Sequence, residues 1–557
     1  MIKNPKSLLG AAVAFALVGG LSLFGASGAQ AAAKPVDVNT CYNCHDNTGP
    51  GSDIKAFHVR GSHASINCGH CHTETEAHVR NFNVKPVTSV DQRTCGQCHA
   101  EQFNSMLQVN WDRPPKEEKA TPTGRTSRYD TLMRPHGFTK EHAEPRSHVF
   151  MLVDHLLVDR AYGGRFQLKS WELIGDGAAA QAGAWNILYD VEPETNNQKA
   201  FRGQVATAAN PVCMFCKSQD NILNWAYMGD PHPKAKWDRT SNVVDFARSL
   251  NHALNCFTCH DPHSTEPRIT RDAQIQAIVD RGEGTYPYDK EKSKRITVEK
   301  VEFRDGFRAI GLLSEPDSNM MCAQCHVEYN CNPGIDAATG ERVTMADQRT
   351  NLMQWSNVFD FNRRMYEDFK FIDFRNAVTG ADQMKIQHPE MEVFWGSKME
   401  QAGVECKDCH MPKMVSKAGV KYTSHFQTSP KYHGYENTCL VCHDDWTPER
   451  ADYTIHAIKN YVRGKINKAE FWLAELIDTF VRAKDLGVPE SVLAEVRKHH
   501  TEANTHWEWW VAENSDGFHN PEQARESLAY SMTQSQQGIA LLEKAIEERR
   551  KAIAKLR

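Results

Sequence analysis

Apolar residues at helical spacing dominate the last part of the chain. Residues 450–483 and 520–556 combine this spacing with many charges and few Gly or Pro residues. Four apolar residues of the first segment fall on one helical face: Leu473, Leu476, Ile477 and Phe480. We predict long helices there, whose apolar faces pack in a core or against another subunit.

A different apolar pattern opens the chain. Lys3 and Lys6 precede an apolar run from Leu8 to Phe24, and Ala29-Gln30-Ala31 has the small residues of a cleavage site. This pattern is typical of a secretory signal peptide. A membrane anchor is the alternative, but glycines interrupt the run and the cleavage pattern follows it. We expect residues 1–31 to be removed and the mature protein to lie in a bacterial periplasm.

Evenly spaced cysteines replace apolar periodicity in the next region. Cys41, Cys68 and Cys95 begin three segments at intervals of 27 residues, which leaves room only for short helices and loops. Residues 111–147 are rich in Pro, Lys, Glu, Thr and Arg and are typical of a loop. The hydrophobic content is 40% and the mean hydropathy is −0.58, low values for a chain that builds a large core from side chains alone.

The cysteines fall into C-x-x-C pairs, and seven of these pairs are followed directly by histidine. C-x-x-C-H is the attachment motif of covalent haem. The histidine argues against both disulfides and tetrahedral zinc as the reason for the pairs. The seven motifs are Cys41/Cys44/His45, Cys68/Cys71/His72, Cys95/Cys98/His99, Cys256/Cys259/His260, Cys322/Cys325/His326, Cys406/Cys409/His410 and Cys439/Cys442/His443.

An eighth pair, Cys213 and Cys216, is followed by Lys217. A lysine can bind iron only as the neutral amine, so burial and iron must lower its pKa strongly. The alternatives are an attachment site without an axial ligand or a plain cysteine pair. We predict that Lys217 is the ligand of the haem at this pair, which is the fourth of the eight in chain order, and that the other side of this haem is open to substrate.

Charge and cofactor number set the expected class and architecture. Removal of Lys3 and Lys6 with the signal changes the net charge from −5 to −7, which argues against a nucleic-acid partner. We predict a mostly α-helical multihaem cytochrome c in which haem forms much of the apolar interior. The predicted regions are a signal peptide (1–31), an N-terminal three-haem domain (32–145), a catalytic core with five haems (146–445) and a C-terminal helical region (446–557).

The lysine motif and several other segments resemble the ammonia-forming cytochrome c nitrite reductases, and the octahaem members of that group most of all. The resemblance extends over essentially the whole mature chain. The segments that carry it are 142–148, 158–166, 213–217, 322–331, 385–390, 422–425 and 517–523.

The resemblance implies a catalytic set of Lys217, Arg160, Tyr329 and His388. A guanidinium and an imidazole suit nitrite, because they can bind its oxygens and supply hydrogen bonds as the N–O bonds break. It also implies a thioether between the Tyr329 ring and Cys331, the one cysteine outside the eight pairs. A buried free thiol is the alternative for Cys331.

The resemblance further implies a calcium ion beside the active haem. Its ligands fall on the carboxylate of Glu328, the carbonyls of Tyr329 and Lys385, and the amide of Gln387. Oxygen donors of these kinds suit calcium.

Second axial ligands are implied unevenly. His148 corresponds to the partner of the sixth haem, His425 of the fifth and His519 of the seventh. The candidates for the first three haems are left in no order: His58, His63, His78, His136 and His263, of which His63, His78 and His263 are adopted as ligands.

These features predict reduction of nitrite, and of hydroxylamine as a second substrate, to ammonium. Alternatives are a hydroxylamine or hydrazine oxidoreductase, a sulfur-oxyanion reductase, and a non-enzymatic electron conduit. Lys217 argues against the first, because that group keeps histidine in its catalytic motif. The resemblance also implies an electron donor, either a quinol dehydrogenase or a small cytochrome, and assembly into dimers or hexamers.

Met399 stands where the family has the histidine that serves the last haem. A thioether sulfur favours ferrous iron, so ligation by Met399 should raise the potential of the haem at His443. We expect a methionine-to-iron charge-transfer band in the near-infrared spectrum of the oxidised protein, and Met399→His should remove it. Absence of that band from the parent protein would refute this ligation.

Overall fold

Helices of very different lengths, joined by small sheets, make up the described part of the chain. The computed structural model describes residues 36–46, 54–108, 148, 211–242, 246, 249–250, 252–303, 306–376 and 378–556. About half of this part is helical. The signal segment, the predicted loop 111–147 and Arg160 lie outside it.

The N-terminal region consists of short helices, as its cysteine spacing predicts. Its α-helices are α1 (Val38–Tyr42), α2 (Ile54–Arg60), α3 (Thr75–Arg80), α4 (Gln92–Gly96) and α5 (Ala100–Met106), and a 3₁₀ turn spans Cys68–His70. Strands β1 (His72–Thr73) and β2 (Val87–Thr88) pair antiparallel.

The middle of the chain combines short helices with small sheets. Its α-helices are α6 (Asn221–Asn224), α7 (Cys256–Cys259), α8 (Asp272–Ile275), α9 (Lys290–Arg295), α10 (Ser318–Cys322), α11 (Val358–Arg363), α12 (Glu390–Phe394), α13 (Lys398–Gln401) and α14 (Cys406–His410). The 3₁₀ helices are Pro211–Cys216, Tyr227–Gly229, Gln348–Asn351, Pro430–Tyr432, Tyr435–Asn437 and Cys439–Val441, and Gln276–Asp280 and Arg364–Asp368 are π-helical.

The strands of this region form five antiparallel sheets with the orders β3-β5-β4, β6-β9, β10-β7-β8, β11-β12 and β13-β14. The bounds are β3 (Arg268–Ile269), β4 (Val298–Phe303), β5 (Arg308–Leu313), β6 (Tyr329–Asn330), β7 (Gly334–Asp336), β8 (Arg342–Val343), β9 (Leu352–Met353), β10 (Phe371–Ile372), β11 (Phe374–Arg375), β12 (Asp382–Gln383), β13 (Lys413–Val415) and β14 (Lys421–Thr423). Only β4 and β5 reach six residues. The sequence does not predict these sheets, because most strands are too short for an alternating pattern.

Side-chain caps position several of the C-x-x-C segments. An Asp or Asn precedes each of five such turns and accepts a hydrogen bond from a backbone N–H in the first turn of the segment. These residues are Asp37, Asn67, Asp91, Asn255 and Asp317. The caps orient the segments by local sequence alone.

Three long helices form the C-terminal region, and the first and third of them correspond to the two segments predicted to be helical. They are α15 (Pro448–Asp485), α16 (Glu490–Ala512) and α17 (Pro521–Leu556). The four residues predicted to share a face of α15 are all buried in one core cluster. Glycines permit the close packing: a Cβ at Gly538 would meet Leu476 at 2.7 Å, and Gly517, at φ +79°, would place one 2.5 Å from Val462.

Long-range hydrogen bonds join the N-terminal segments to the rest of the chain. Gln219 donates to the carbonyl of Val90 at 2.7 Å, and the His425 N–H donates to the Ser105 hydroxyl at 2.9 Å. The Arg60 guanidinium also pairs with Glu266 at 2.7 Å. Among the described residues, no helix is long and apolar enough to cross a membrane.

Leu476→Ala should destabilise the C-terminal helices by about 2–5 kcal/mol, because it leaves a cavity beside Gly538 in a closely packed core. Amide hydrogen exchange of α15 measures this free energy of opening. Lys468→Ala, an exposed change on the same helix, should stay within about 0.5 kcal/mol of the parent. Equal changes in the free energy of opening for Leu476→Ala and Lys468→Ala would contradict the placement of Leu476 in the core.

Candidate active site

The lysine-containing segment is buried and held by backbone hydrogen bonds. Residues Pro211–Cys216 form a 3₁₀ helix whose side chains are all buried. The Lys217 N–H donates to the Met214 carbonyl at 3.0 Å, and the Asn221 amide donates to the same carbonyl at 3.3 Å. The Lys217 side chain is partly exposed at the end of this turn.

Hydrogen bonds of Gln387 connect the segment that carries His388 to the segment that carries Tyr329. Tyr329 begins β6 and pairs with Met353 of β9. The Gln387 N–H donates to the Glu328 carboxylate at 2.6 Å, and the Gln387 amide donates to the Tyr329 carbonyl at 3.2 Å. These two bonds fix the chain before His388 against the chain before Tyr329.

His388 lies in the electrostatic field of the lysine-containing segment. Burial lowers its pKa to about 4, which the Glu390 carboxylate opposes and the Lys217 charge reinforces. The imidazole is therefore neutral near pH 7, with one nitrogen to donate and one to accept a hydrogen bond.

The Tyr329 phenol is fully enclosed. Burial raises its pKa well above the usual value, and the nearby thiols of Cys331, Cys213 and Cys216 add to this shift. The Arg271 guanidinium acts in the opposite direction, with its centre 5.5 Å from the ring centroid. The phenol is therefore protonated near neutral pH.

Cys331 is buried two residues beyond Tyr329. In an extended strand, residues two apart point to the same face. The Cys331 sulfur lies 3.5 Å from that of Cys213 and 3.5 Å from the Gln387 amide nitrogen. Cys331 thus adjoins both the attachment segment and the loop that carries His388.

The four residues proposed as calcium ligands are all buried together. The hydrogen bonds of Gln387 bring the Glu328 carboxylate and the Tyr329 carbonyl to one point, and the Lys385 N–H donates to Asp373 at 2.9 Å. Burial raises the pKa of Glu328 well above normal, so the carboxylate would be stabilised by a cation. A 180° turn of the Gln387 amide would present its oxygen, and the donor set then fits calcium.

Five motif histidines face a second imidazole at a nearly constant separation. An iron ion between two imidazole nitrogens at about 2 Å each places the ring centroids about 6 Å apart. The observed centroid distances are 6.3 Å for His45 and His78, 6.2 Å for His63 and His99, 6.1 Å for His72 and His263, 6.0 Å for His148 and His326, and 6.2 Å for His410 and His519. These residues fit iron held by two histidines.

The remaining candidate ligands are arranged less regularly. His260 and His425 are neighbours. The pKa of His260 is lowered to about 4, mainly by burial and to a smaller extent by the charge of His425. His58, by contrast, shares a hydrogen bond with Tyr42 at 2.5 Å. Met399 lies in α13, where its carbonyl accepts from the Val404 N–H. Arg160 and His136 lie outside the described residues.

The cysteine pairs are close to one another in a continuous series. Contacts that shift the pKa values of the thiols link Cys41 with Cys68, Cys95 with Cys256, Cys216 with Cys325, and Cys322 with Cys406. Electrostatic effects on their pKa values link Cys71 with Cys95, Cys259 with Cys322, and Cys409 with Cys439. Groups attached at these cysteines would be close neighbours from the first motif to the last.

Three of the predicted attachment cysteines differ from the others, because Cys44, Cys98 and Cys442 are exposed. Each is the second cysteine of its motif and lies just beyond the end of its short helix, after Tyr42, Gly96 and Val441, respectively.

The other attachment cysteines are at least partly covered. Cys213 and Cys216 are buried, and the remaining members of the pairs are intermediate in exposure. The lysine-containing segment is thus the most enclosed of the attachment segments that the structure describes. Cys44, Cys98 and Cys442 stay predicted attachment residues by their motifs.

Three features of this region are not predicted from the sequence. Arg271 and Arg308 lie fully buried against Phe215 of the lysine-containing segment. The Glu392 carboxylate accepts from the Glu328 N–H at 3.1 and 3.2 Å. No local motif marks these residues, because their contacts join segments that are distant along the chain.

A third unpredicted feature involves the histidines themselves. The Glu390 carboxylate lies 3.6 Å from Nδ1 of His326, an arrangement that orients a metal-binding imidazole. The His443 imidazole stacks on the Trp446 indole, with centroids 4.1 Å apart. Both contacts fix the orientation of a motif histidine.

The repeated attachment segments and the facing imidazoles define a c-type cytochrome. Residues 181–554 match the family model described as cytochrome c552, and the chain belongs to that family. Its members hold haem covalently through such cysteines.

Individual relatives give the same result. The chain is 27% identical over 330 residues to cytochrome c-552 of Porphyromonas gingivalis, covering 58% of this chain and 57% of the relative. It is 28% identical over 361 residues to the cytochrome c nitrite reductase subunit NrfA of Nitratidesulfovibrio vulgaris, covering 60% of each chain. The chain thus spans less than two thirds of the length of these curated relatives.

A solved structure shares the fold. Cytochrome c nitrite reductase from Desulfovibrio desulfuricans, a structure described for two calcium sites in its catalytic subunit, matches with a TM-score of 0.53. The identity is 21%, and the match covers 82% of this chain and 87% of that one.

The mass of the peptide that spans Tyr329 and Cys331 tests their predicted bond. Both residues are buried and lie two positions apart in one segment, so we expect a thioether and a loss of two hydrogens from the peptide mass. Tyr329→Phe should restore the mass expected from composition. A Cys331 thiol that can be alkylated after a sample of active protein has been unfolded would contradict the prediction.

Proposed function

We propose that this chain is an exported octahaem cytochrome c that reduces nitrite to ammonium with six electrons. The observation that carries the proposal is the meeting of Lys217, Tyr329 and His388 at one attachment segment. The lysine replaces the usual histidine, and the other two residues supply hydrogen-bonding groups next to it.

Seven of the eight attachment sites serve electron transfer in this proposal. His78, His263, His63, His425, His148 and His519 are the second ligands at the first, second, third, fifth, sixth and seventh motifs, respectively. The centroid distances near 6 Å support five of these assignments. Met399 is proposed for the eighth motif.

The series of neighbouring cysteines supports electron transfer along the chain of haems. It runs from the first motif through the second, third, fifth and sixth, and the sixth adjoins both the lysine motif and the seventh. The N-terminal three-haem region (32–145) would then deliver electrons to the catalytic core (146–445).

The side chains around Lys217 have separate tasks. Bound haem supplies the redox chemistry of the reaction. The amine of Lys217 would hold the iron of a haem attached at Cys213 and Cys216. His388, neutral near pH 7, can donate a hydrogen bond to a nitrite oxygen, and the Tyr329 phenol can donate another. Arg160 is proposed as the cationic group that binds the substrate.

A calcium ion at Glu328, Tyr329, Lys385 and Gln387 would hold the two catalytic loops together. The hydrogen bonds of Gln387 already join these segments. A bound cation would also stabilise the charged form of the buried Glu328 carboxylate. Hydroxylamine is proposed as a second substrate. The electron donor is proposed to be a quinol dehydrogenase or a small cytochrome, and the assembly a dimer or hexamer.

Lys217→Ala should lower nitrite turnover by at least about 100-fold, since changes around metal ligands alone cost about 10–100-fold. The assay uses the full-length haem-loaded protein, a reduced dye and nitrite, and measures the ammonium formed. Lys421→Ala, an exposed lysine on β14, should keep parental turnover.

The same assay separates the alternatives. Turnover with sulfite or tetrathionate but not nitrite would favour a sulfur-oxyanion reductase. Oxidation of hydroxylamine or hydrazine with an oxidised acceptor would favour the oxidoreductase alternative. A haem-loaded protein that turns over none of these substrates would be an electron conduit.

A further inference from the structure

Two buried arginines face the lysine-containing segment. Arg271 and Arg308 are both fully buried. The guanidinium of Arg271 lies 4.5 Å from the ring centroid of Phe215 and 5.5 Å from that of Tyr329. The guanidinium of Arg308 lies 5.1 Å from the same Phe215 ring. Phe215 lies between Cys213 and Cys216, so both cations adjoin the site of attachment.

Arg271 is a charge that the described side chains do not satisfy. Within the part of the chain that the structure describes, none of its three guanidinium nitrogens has a hydrogen-bond partner. Burial lowers the pKa of Arg271, but the negative charges of Cys216 and Asp272 outweigh this effect, so the pKa is raised overall. A buried cation whose N–H groups have no acceptor destabilises the folded chain, and a negative group bound beside it would remove this penalty.

The charge of one carboxylate, that of Asp272, acts on both arginines. Asp272 lies 3.6 Å from Arg308 and also accepts hydrogen bonds from the Trp225 indole and the Asn351 amide. Arg308 is held in addition by the Thr270 carbonyl. Two guanidinium groups against one carboxylate leave one net positive charge among the described residues of this cluster.

Attachment of haem changes what Arg271 faces. A thioether at Cys216 removes the thiol that can carry negative charge, whereas the porphyrin brings its carboxylates and its iron. Reduction of ferric to ferrous iron adds one negative charge to that group. A fixed cation nearby stabilises the reduced form, and the effect is strong in a buried site because the effective dielectric constant is low.

We propose that the fixed positive charge of Arg271 raises the reduction potential of the haem attached at Cys213 and Cys216. This inference rests on the proposed function, because it requires haem at that segment. It assigns Arg271 to the electrostatics of electron delivery rather than to contact with nitrite.

Two substitutions with opposite expected signs test the inference. Arg271→Gln removes the cation, so the midpoint potential of the haem at the lysine motif should fall, while Arg271→Lys should keep most of the parental value. Asp272→Asn removes the one acid of the cluster and should raise the same midpoint. The measurement is a potentiometric titration of the full-length haem-loaded protein, followed by the EPR signal of its high-spin ferric haem.

Arg268 provides a matched control three residues away. Its buried guanidinium is satisfied by Asp261 at 3.0 Å and by the Phe257 carbonyl at 2.9 Å. Arg268→Gln should therefore leave the midpoint at the lysine motif unchanged. A shift as large as that of Arg271→Gln would overturn the assignment to Arg271.

Two further outcomes would overturn the inference. One is an unchanged midpoint in Arg271→Gln with haem on every cysteine pair, and the other is a shift of Asp272→Asn in the same direction. If the Arg271→Gln protein does not accumulate, the direction in which Asp272→Asn shifts the midpoint potential decides the question. A parental peptide that contains Cys213 and Cys216 without the mass of haem would instead contradict the proposed function.

Discussion

Facing imidazoles held about 6 Å apart are the constraint on which the arrangement of this chain depends. Each pair joins a residue of an attachment motif to a histidine from another part of the sequence, as His72 is joined to His263 and His410 to His519. An iron ion between them would tie the two segments together more strongly than a few apolar contacts. This explains how short helices with low hydrophobic content can keep a defined arrangement.

The wall of the candidate site is built in a different way. Glu328, Gln387 and Glu392 are buried polar residues that hydrogen-bond to the backbone of neighbouring segments. Because buried polar groups are costly when unpaired, such a network permits few alternative arrangements. It holds Tyr329 and His388 at one attachment segment although they lie on different loops. The site is therefore positioned by polar contacts, whereas the C-terminal helices are held by apolar packing.

Buried charge connects the wall to the chemistry proposed for it. Glu328 is a buried acid that would be stabilised by calcium, and Arg271 is a buried cation that would be stabilised by the charge of a porphyrin. Each buried charge lowers the stability of the protein alone, and this penalty becomes smaller once the cofactor of opposite charge is bound. In this interpretation, the folded chain reaches its full stability only together with its metal and haem.

The sequence by itself determined the features that depend on neighbouring residues. The C-x-x-C-H segments, the Asp and Asn caps before them and the buried face of α15 are all local patterns, and they could be predicted. The tertiary structure decided which of the candidate histidines faces each of five motifs, placed His58 on Tyr42, and buried Arg271 against Phe215. The physical reason is distance along the chain: a second ligand, a buried countercharge or a covering side chain needs only to be near in space, and no spacing in the sequence records it.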